Sequence, residues 1–164
     1  MKTLLLIRHA ASEQGTRGTD FDRPLKKTGK RDALVMAGRL MEKGMKPDLL
    51  ISSAARRARN TARRMAAVWD YPDREIQLES SLYEAGIQQY EEVIRGIPDD
   101  ARCVAVFGHN PTVGMLADSL TAVPIDRFPT CAIAAFSIAE DSWADFQSAE
   151  KTLLFVDFPK PGPD

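Results

Sequence analysis

The chain has 164 residues, 44% of them hydrophobic and 27% charged, with a formal net charge of −1. That length fits one compact domain, and the near balance of charge argues against a general nucleic-acid or membrane-surface binder, so any basic site must be local. No stretch reaches the roughly 20 apolar residues that cross a bilayer, and the opening MKTLLLIRHA runs into arginine too early for a signal peptide, which points to a cytoplasmic protein.

Residues 2–7 read as a buried strand, and the Gly, Asp and Pro content of 17–27 predicts a long loop. Thr28 is placed to cap a helix whose residues Leu34, Ala37, Leu40 and Met41 share a face, with Gly44 as its stop. PDLLISS at 47–53 is a second strand, and 55–69 a helix with Ala58, Ala62, Met65, Ala66 and Trp69 inward and most arginines outward. EIQLES is a short third strand, and a helix is expected near 87–96. CVAVFG at 103–108 reads as a central strand, and the apolar runs 131–138 and 152–158 as strands near the sheet edge. This alternation implies an α/β three-layer sandwich, a mostly parallel central sheet flanked by helices, in a single domain over 1–158, with 159–164 a flexible tail. Cys103 and Cys131 sit in apolar, strand-like runs without metal-ligand spacing and are expected to be reduced and buried.

The chain holds only two histidines, and each follows an apolar strand: His9 after TLLLIR and His109 after CVAVFG. Ends of parallel strands line the ligand crevice of an open sheet, so both imidazoles are expected to meet there. In GHNP, Asn110 suits an N-cap and Pro111 the first helical position, which would set His109 beside free backbone N–H groups that attract anions. Arg8 stands beside His9, and Arg57 opens the helix after the second strand. Taken singly, a strand-end histidine can be purely structural and the arginines of 56–64 a solvated helix face. Two guanidiniums and two imidazoles converging together make a receptor for a phosphate dianion.

Five ordered blocks carry a resemblance: LLIRHA at 4–9 with Ala10, DFDRPLKKTGKRDA at 20–33, PDLLISSAARRARNTA at 47–62, LYEAG at 82–86 and VFGHNPTVGMLA at 106–117. Together they resemble the histidine phosphatase (phosphoglycerate-mutase-like) superfamily, and within it the small SixA-type phosphohistidine phosphatases. The resemblance implies a phosphoglycerate-mutase-like fold and a nucleophilic His9 that forms a phosphohistidine intermediate, with Arg8, Arg57 and His109 around the phosphate. It implies no cofactor and no metal, since the arginines would supply the charge that phosphoryl transfer requires. Glu84 stands where many members carry the proton donor, with Asp20 and Asp22 as rivals, while Arg23 could contact substrate or anchor its loop. Two positions depart from the wider pattern, Ala10 where many members have Gly and Ala54 where Pro is usual.

The expected partner is a protein bearing phosphohistidine, acted on by a monomer. The alternatives are a phosphatase for a small phosphate monoester and a non-catalytic phosphate-binding protein. A mutase is the most remote reading, because little chain is left to roof the site.

Overall fold

Runs of alternating inward and outward apolar residues force this chain into a sheet covered on both faces. The computed structural model describes residues 1–15 and 17–160. Six strands are joined in the order β3-β2-β4-β1-β5-β6: β1 (Lys2–Arg8), β2 (Leu49–Ser53), β3 (Gln77–Glu79), β4 (Cys103–Gly108), β5 (Ile133–Ile138) and β6 (Lys151–Asp157). The first four run parallel, and β5 and β6 add antiparallel strands beyond β1.

Because strand side chains alternate faces, Leu4, Leu6, Val104 and Val106 enter one core while Leu5, Ile7, Ala105 and Phe107 enter the other. Helices α1 (Lys27–Glu42) and α2 (Arg56–Val68) cover the second face through Met36, Leu40 and Met65, with Trp69 just past the end of α2. Helices α3 (Ile87–Arg95) and α4 (Thr112–Ser119) cover the first through Tyr90, Ile94, Val113 and Leu116. Each such side chain, wholly removed from water, stabilises the fold by about 1.5–3 kcal/mol before conformational entropy is counted. The result is the three-layer sandwich expected, and among the described residues no helix is long and apolar enough to cross a membrane.

Three local expectations need correction. Helix α1 starts at Lys27, not after Thr28, because the Lys26 N–H is tied to the Ala11 carbonyl at 2.9 Å where the chain leaves a bridge between Ser12 and Leu25. Its buried face is Gly29, Ala33, Met36, Ala37 and Leu40, whereas Leu34 is 42% and Met41 47% exposed. Both exposed residues lie one position from a buried one, which on a helix is a rotation of about 100°. Helix α4 begins at Thr112 with Pro111 as N-cap, so Pro111 is not yet helical. Asn110 still caps it, its Oδ1 accepting the Gly114 N–H at 3.1 Å. Of the expected tail, residues 161–164 lie outside the described residues.

Candidate active site

Parallel register brings the two histidines together. Arg8 pairs with Gly108 across β1 and β4, and the His9 N–H donates to the Gly108 carbonyl at 3.0 Å, so His9 and His109 leave adjacent strands at the same edge. Their ring centroids are 5.3 Å apart. Strand β2 ends at that edge too, and Ser53 Oγ lies 2.8 Å from His109 Nε2. A cavity of about 310 Å³ opens there, lined by Arg8, His9, Arg57 and His109 together with Ser12, Gln14, Arg23, Lys26, Asn110 and Thr130. Among the described residues no carboxylate lines it.

His9 is only 7% exposed, and its Nδ1 lies 2.7 Å from the Ala10 carbonyl. A carbonyl only accepts, so Nδ1 carries the proton and the lone pair is left on Nε2. Burial, with smaller contributions from the charges of His109, Arg57 and Arg8 and against the Ala10 hydrogen bond, pushes the His9 pKa down to about 3. His109 is pushed down to about 4, again by burial first and then by Arg57. Both rings are therefore neutral at physiological pH, the state a nitrogen nucleophile needs.

The guanidiniums are held from outside the cavity. Arg8 Nη1 donates to the Phe128 carbonyl at 3.2 Å, and burial lowers its pKa. Arg57 donates from Nη1 to the Asp20 carbonyl at 2.8 Å and from Nη2 to Asp20 Oδ2 at 3.1 Å. Arg8 Nε, Arg57 Nε and His109 Nδ1 are buried and have no partner among the described residues. Each unsatisfied buried nitrogen costs about 1–3 kcal/mol, and three of the four such atoms among the described residues belong to residues that line the cavity, the fourth being Arg59 Nε.

The backbone of the site is held by close approaches. The Tyr90 hydroxyl accepts the His109 N–H at 3.0 Å, packed so tightly on Gly108 that a Cβ there would overlap the phenol. The Thr61 hydroxyl accepts the Ala10 N–H at 3.0 Å and donates to the Arg57 carbonyl at 2.7 Å, coupling the residue after His9 to helix α2. Gly29 of α1 lets the Ala11 carbonyl pass where a Cβ would otherwise stand.

The other predicted residues take different places. Asp20 sits at the rim, where the Tyr83 hydroxyl donates to its Oδ2 at 2.6 Å and Arg23 Nε to its Oδ1 at 2.9 Å. Tyr83 first, then Arg23 and Arg57, hold its pKa down at about 2, so it is an anchored carboxylate rather than an acid holding a proton. Arg23 both anchors and lines: its Nη1 donates to Ser12 Oγ at 3.0 Å and to the Glu13 carbonyl at 2.9 Å while it borders the cavity. Asp22 accepts from Thr19 through its carboxylate and is not brought to the cavity. Glu84 is exposed, at a left-handed φ of 55°, and also lies outside the lining.

The sequence profile of the histidine phosphatase superfamily (branch 1) matches residues 4–100, well over half the chain. The chain belongs to the histidine phosphatase superfamily. An uncharacterized protein of Mycobacterium tuberculosis is 30% identical over 164 aligned residues, covering 94% of this chain and all of that one. Among solved structures, one from Nakamurella multipartitia named as a phosphohistidine phosphatase SixA superposes with a TM-score of 0.81 at 28% identity, covering 96% of both chains. The protein histidine phosphatase SixA complexed with tungstate has the same fold, with a TM-score of 0.80 at 19% identity over 95% of this chain and 96% of the other.

In this histidine phosphatase the profile match contains His9, Arg8 and Arg57, while His109 lies beyond it and is joined to them by the sheet register. Ala10 does not adopt a positive φ, so its Cβ carries no backbone penalty beside His9. Sequence reasoning missed Ser53, Thr61 and Tyr90 as supports of the site. The serine in SSAARR follows an apolar strand just as His9 and His109 do, and that shared signal could have found it. Thr61 and Tyr90 look like ordinary helix residues and carried none.

Proposed function

We propose that this histidine phosphatase removes phosphate from phosphohistidine on a protein, through a phosphohistidine intermediate on His9. The observation that carries this reading is the cavity itself: two neutral imidazoles among arginines and a lysine, with no lining carboxylate among the described residues. The His9 Nε2 lone pair attacks phosphorus, the phosphorus–nitrogen bond of the substrate breaks, and its electron pair returns to the leaving imidazole. Arg8, Arg57 and His109 would receive the phosphoryl oxygens, a role supported by their place in the cavity lining. Ser53 supports it as well: with its O–H donated to Nε2, His109 keeps the proton on Nδ1. Water then attacks the phosphoryl group on His9, releasing inorganic phosphate and restoring the lone pair.

A phosphohistidine ring leaves as neutral imidazole after taking a proton from solvent on its own second nitrogen. An alkyl ester must expel an alkoxide and needs a positioned acid. The absence of a carboxylate from the lining therefore favours the phosphoramidate over a small monoester, and Glu84 is assigned no step. The protein is taken to act as a monomer in the cytoplasm and without a metal.

The test is phosphate release by wild type and His9→Ala, in EDTA, from a histidine-phosphorylated carrier protein beside p-nitrophenyl phosphate. Strong preference for the carrier, abolished in His9→Ala, is expected. Efficient turnover of the ester alone would move the assignment to a small-molecule phosphatase. Binding of the carrier without turnover by wild type would make the protein a phosphate-binding module.

A further inference from the structure

Helix α2 is built against its own stability. It carries five arginines and no carboxylate, with Arg56 and Arg57 in the first turn, where the helix dipole disfavours cations. Arg59 and Arg63 are like charges one turn apart, which is also unfavourable. A solvated face ordinarily mixes signs. Arg57 is accounted for by the phosphate cavity, and the charge on the rest of the helix is not.

Arg56, Arg63 and Arg64 line a second concavity, a groove of about 350 Å³ between α2 and α1, with Lys30 on its opposite wall. Its apolar surface comes from Pro24, Leu25, Leu34 and Ala67. Leu34 is thus an exposed leucine with a location, not a scattered one. Of the four cations only Arg63 has a carboxylate partner among the described residues, Asp73 at 3.2 Å. Arg56 donates to the Asp22 carbonyl, which leaves its charge uncompensated, and no carboxylate lines the groove among the described residues.

The groove shares its wall with the phosphate cavity. In the segment 23–26, Arg23 and Lys26 line the cavity while Pro24 and Leu25 between them line the groove; across from it Arg57 lines the cavity and Arg56 the groove. Whatever presents a phosphoryl group to His9 therefore has neighbouring residues within reach of the groove. A free small phosphate does not.

We propose that the α1–α2 groove docks an acidic, leucine-bearing segment of the phosphorylated protein, next to its phosphohistidine, and so selects which phosphoproteins are dephosphorylated. This rests on the phosphoprotein reading above. Cations around an apolar floor match such a segment in charge and in burial, and a local positive field on a chain of net charge −1 also speeds encounter with an acidic partner.

The decisive variant is Lys30→Glu/Arg64→Glu, which reverses two exposed or partly exposed charges that touch neither His9 nor its phosphate ligands and have no ion pair to lose among the described residues. Three readouts are compared with wild type: kcat/KM on an acidic histidine-phosphorylated carrier protein, hydrolysis of phosphoramidate, and anisotropy of a labelled Glu/Leu-rich peptide. The expected result is a fall of about tenfold or more on the carrier, steeper at low salt, with the peptide released and phosphoramidate hydrolysis unchanged. Unchanged carrier turnover beside unchanged phosphoramidate hydrolysis overturns the docking proposal and leaves the phosphatase assignment standing. Wild type that hydrolyses phosphoramidate but no phosphoprotein overturns the phosphoprotein reading, and with it the docking role. A groove that binds single-stranded DNA and not the peptide overturns the choice of partner.

Discussion

Acidifying the protein from pH 7 to about pH 4.5 should weaken its fold through the two histidines. An imidazole held at a pKa of about 3 or 4 stays neutral where its unfolded counterpart, near 6.5, is already protonated. The unfolded chain then binds more protons, so stability is full above about 6.5, falls as pH drops through that window, and stops falling below the folded value. At about 1.4 kcal/mol for each pH unit and each group, two units cost about 2–3 kcal/mol through His9, and somewhat less through His109, whose folded value is higher. That is a large part of an ordinary domain stability of about 5–15 kcal/mol. Asp20 adds to the loss only in a lower window, from its ordinary 3.8 down to about 2, and little, because its side chain is 54% exposed. The assay is urea unfolding followed by the fluorescence of Trp69 and Trp143, both fully buried, at a series of pH values for wild type and His9→Asn. The variant should lose markedly less stability than wild type over the same interval. With only two histidines in the chain, their NMR ring signals can be followed directly. A His9 resonance titrating near pH 6.5, or equal acid sensitivity in His9→Asn, would refute the reasoning.

Two substitutions probe the supports of the site. Ser53→Ala strips the partner from His109 Nε2 and from the Ala55 N–H, which lies 3.2 Å from the same hydroxyl; it should lower stability by about 1–3 kcal/mol in urea and kcat/KM on phosphoramidate by about two- to tenfold as the ring loses its tautomer bias. Gly29→Ala should cost about 1–3 kcal/mol despite the better helix propensity of alanine, because its Cβ meets the Ala11 backbone. Gly38→Ala, on the same helix with nothing within 4 Å of the new Cβ, should instead stabilise by about 0.5–1 kcal/mol, and thermal melts of the pair give the two signs directly.

Much of this was legible because the informative signals are local. An apolar run that stops at a histidine is a statement about one strand and its end, so β1, β4, His9 and His109 could be read directly, and the inward face of α2 followed from its spacing. On α1, Ala37 and Leu40 are buried as the spacing predicts, but Leu34 and Met41 are not, because Ala33 and Met36 take the inward positions while Leu34 borders the groove beside α2. Beyond the loop character of 17–27, the placement of Ala10, Ala11 and Asp20 was not legible. It follows from Thr61 holding Ala10, Gly29 admitting Ala11, and Arg57 and Tyr83 gripping Asp20, contacts across tens of residues that leave no periodic trace.

By itself, then, the sequence determined the α/β class and the strand ends at which His9 and His109 stand, since those strands are set by hydropathy along short segments. Only the tertiary structure decided the strand order, the antiparallel β5 and β6, the tautomer of His9 through Ala10, the partnership of Ser53 with His109, and the placement of Asp20 on Arg57 and of Glu84 away from the cavity. The physical reason is that proton positions and pKa values follow from burial and from contacts among residues far apart in the chain, and those exist only once the sheet has brought its strand ends to one edge.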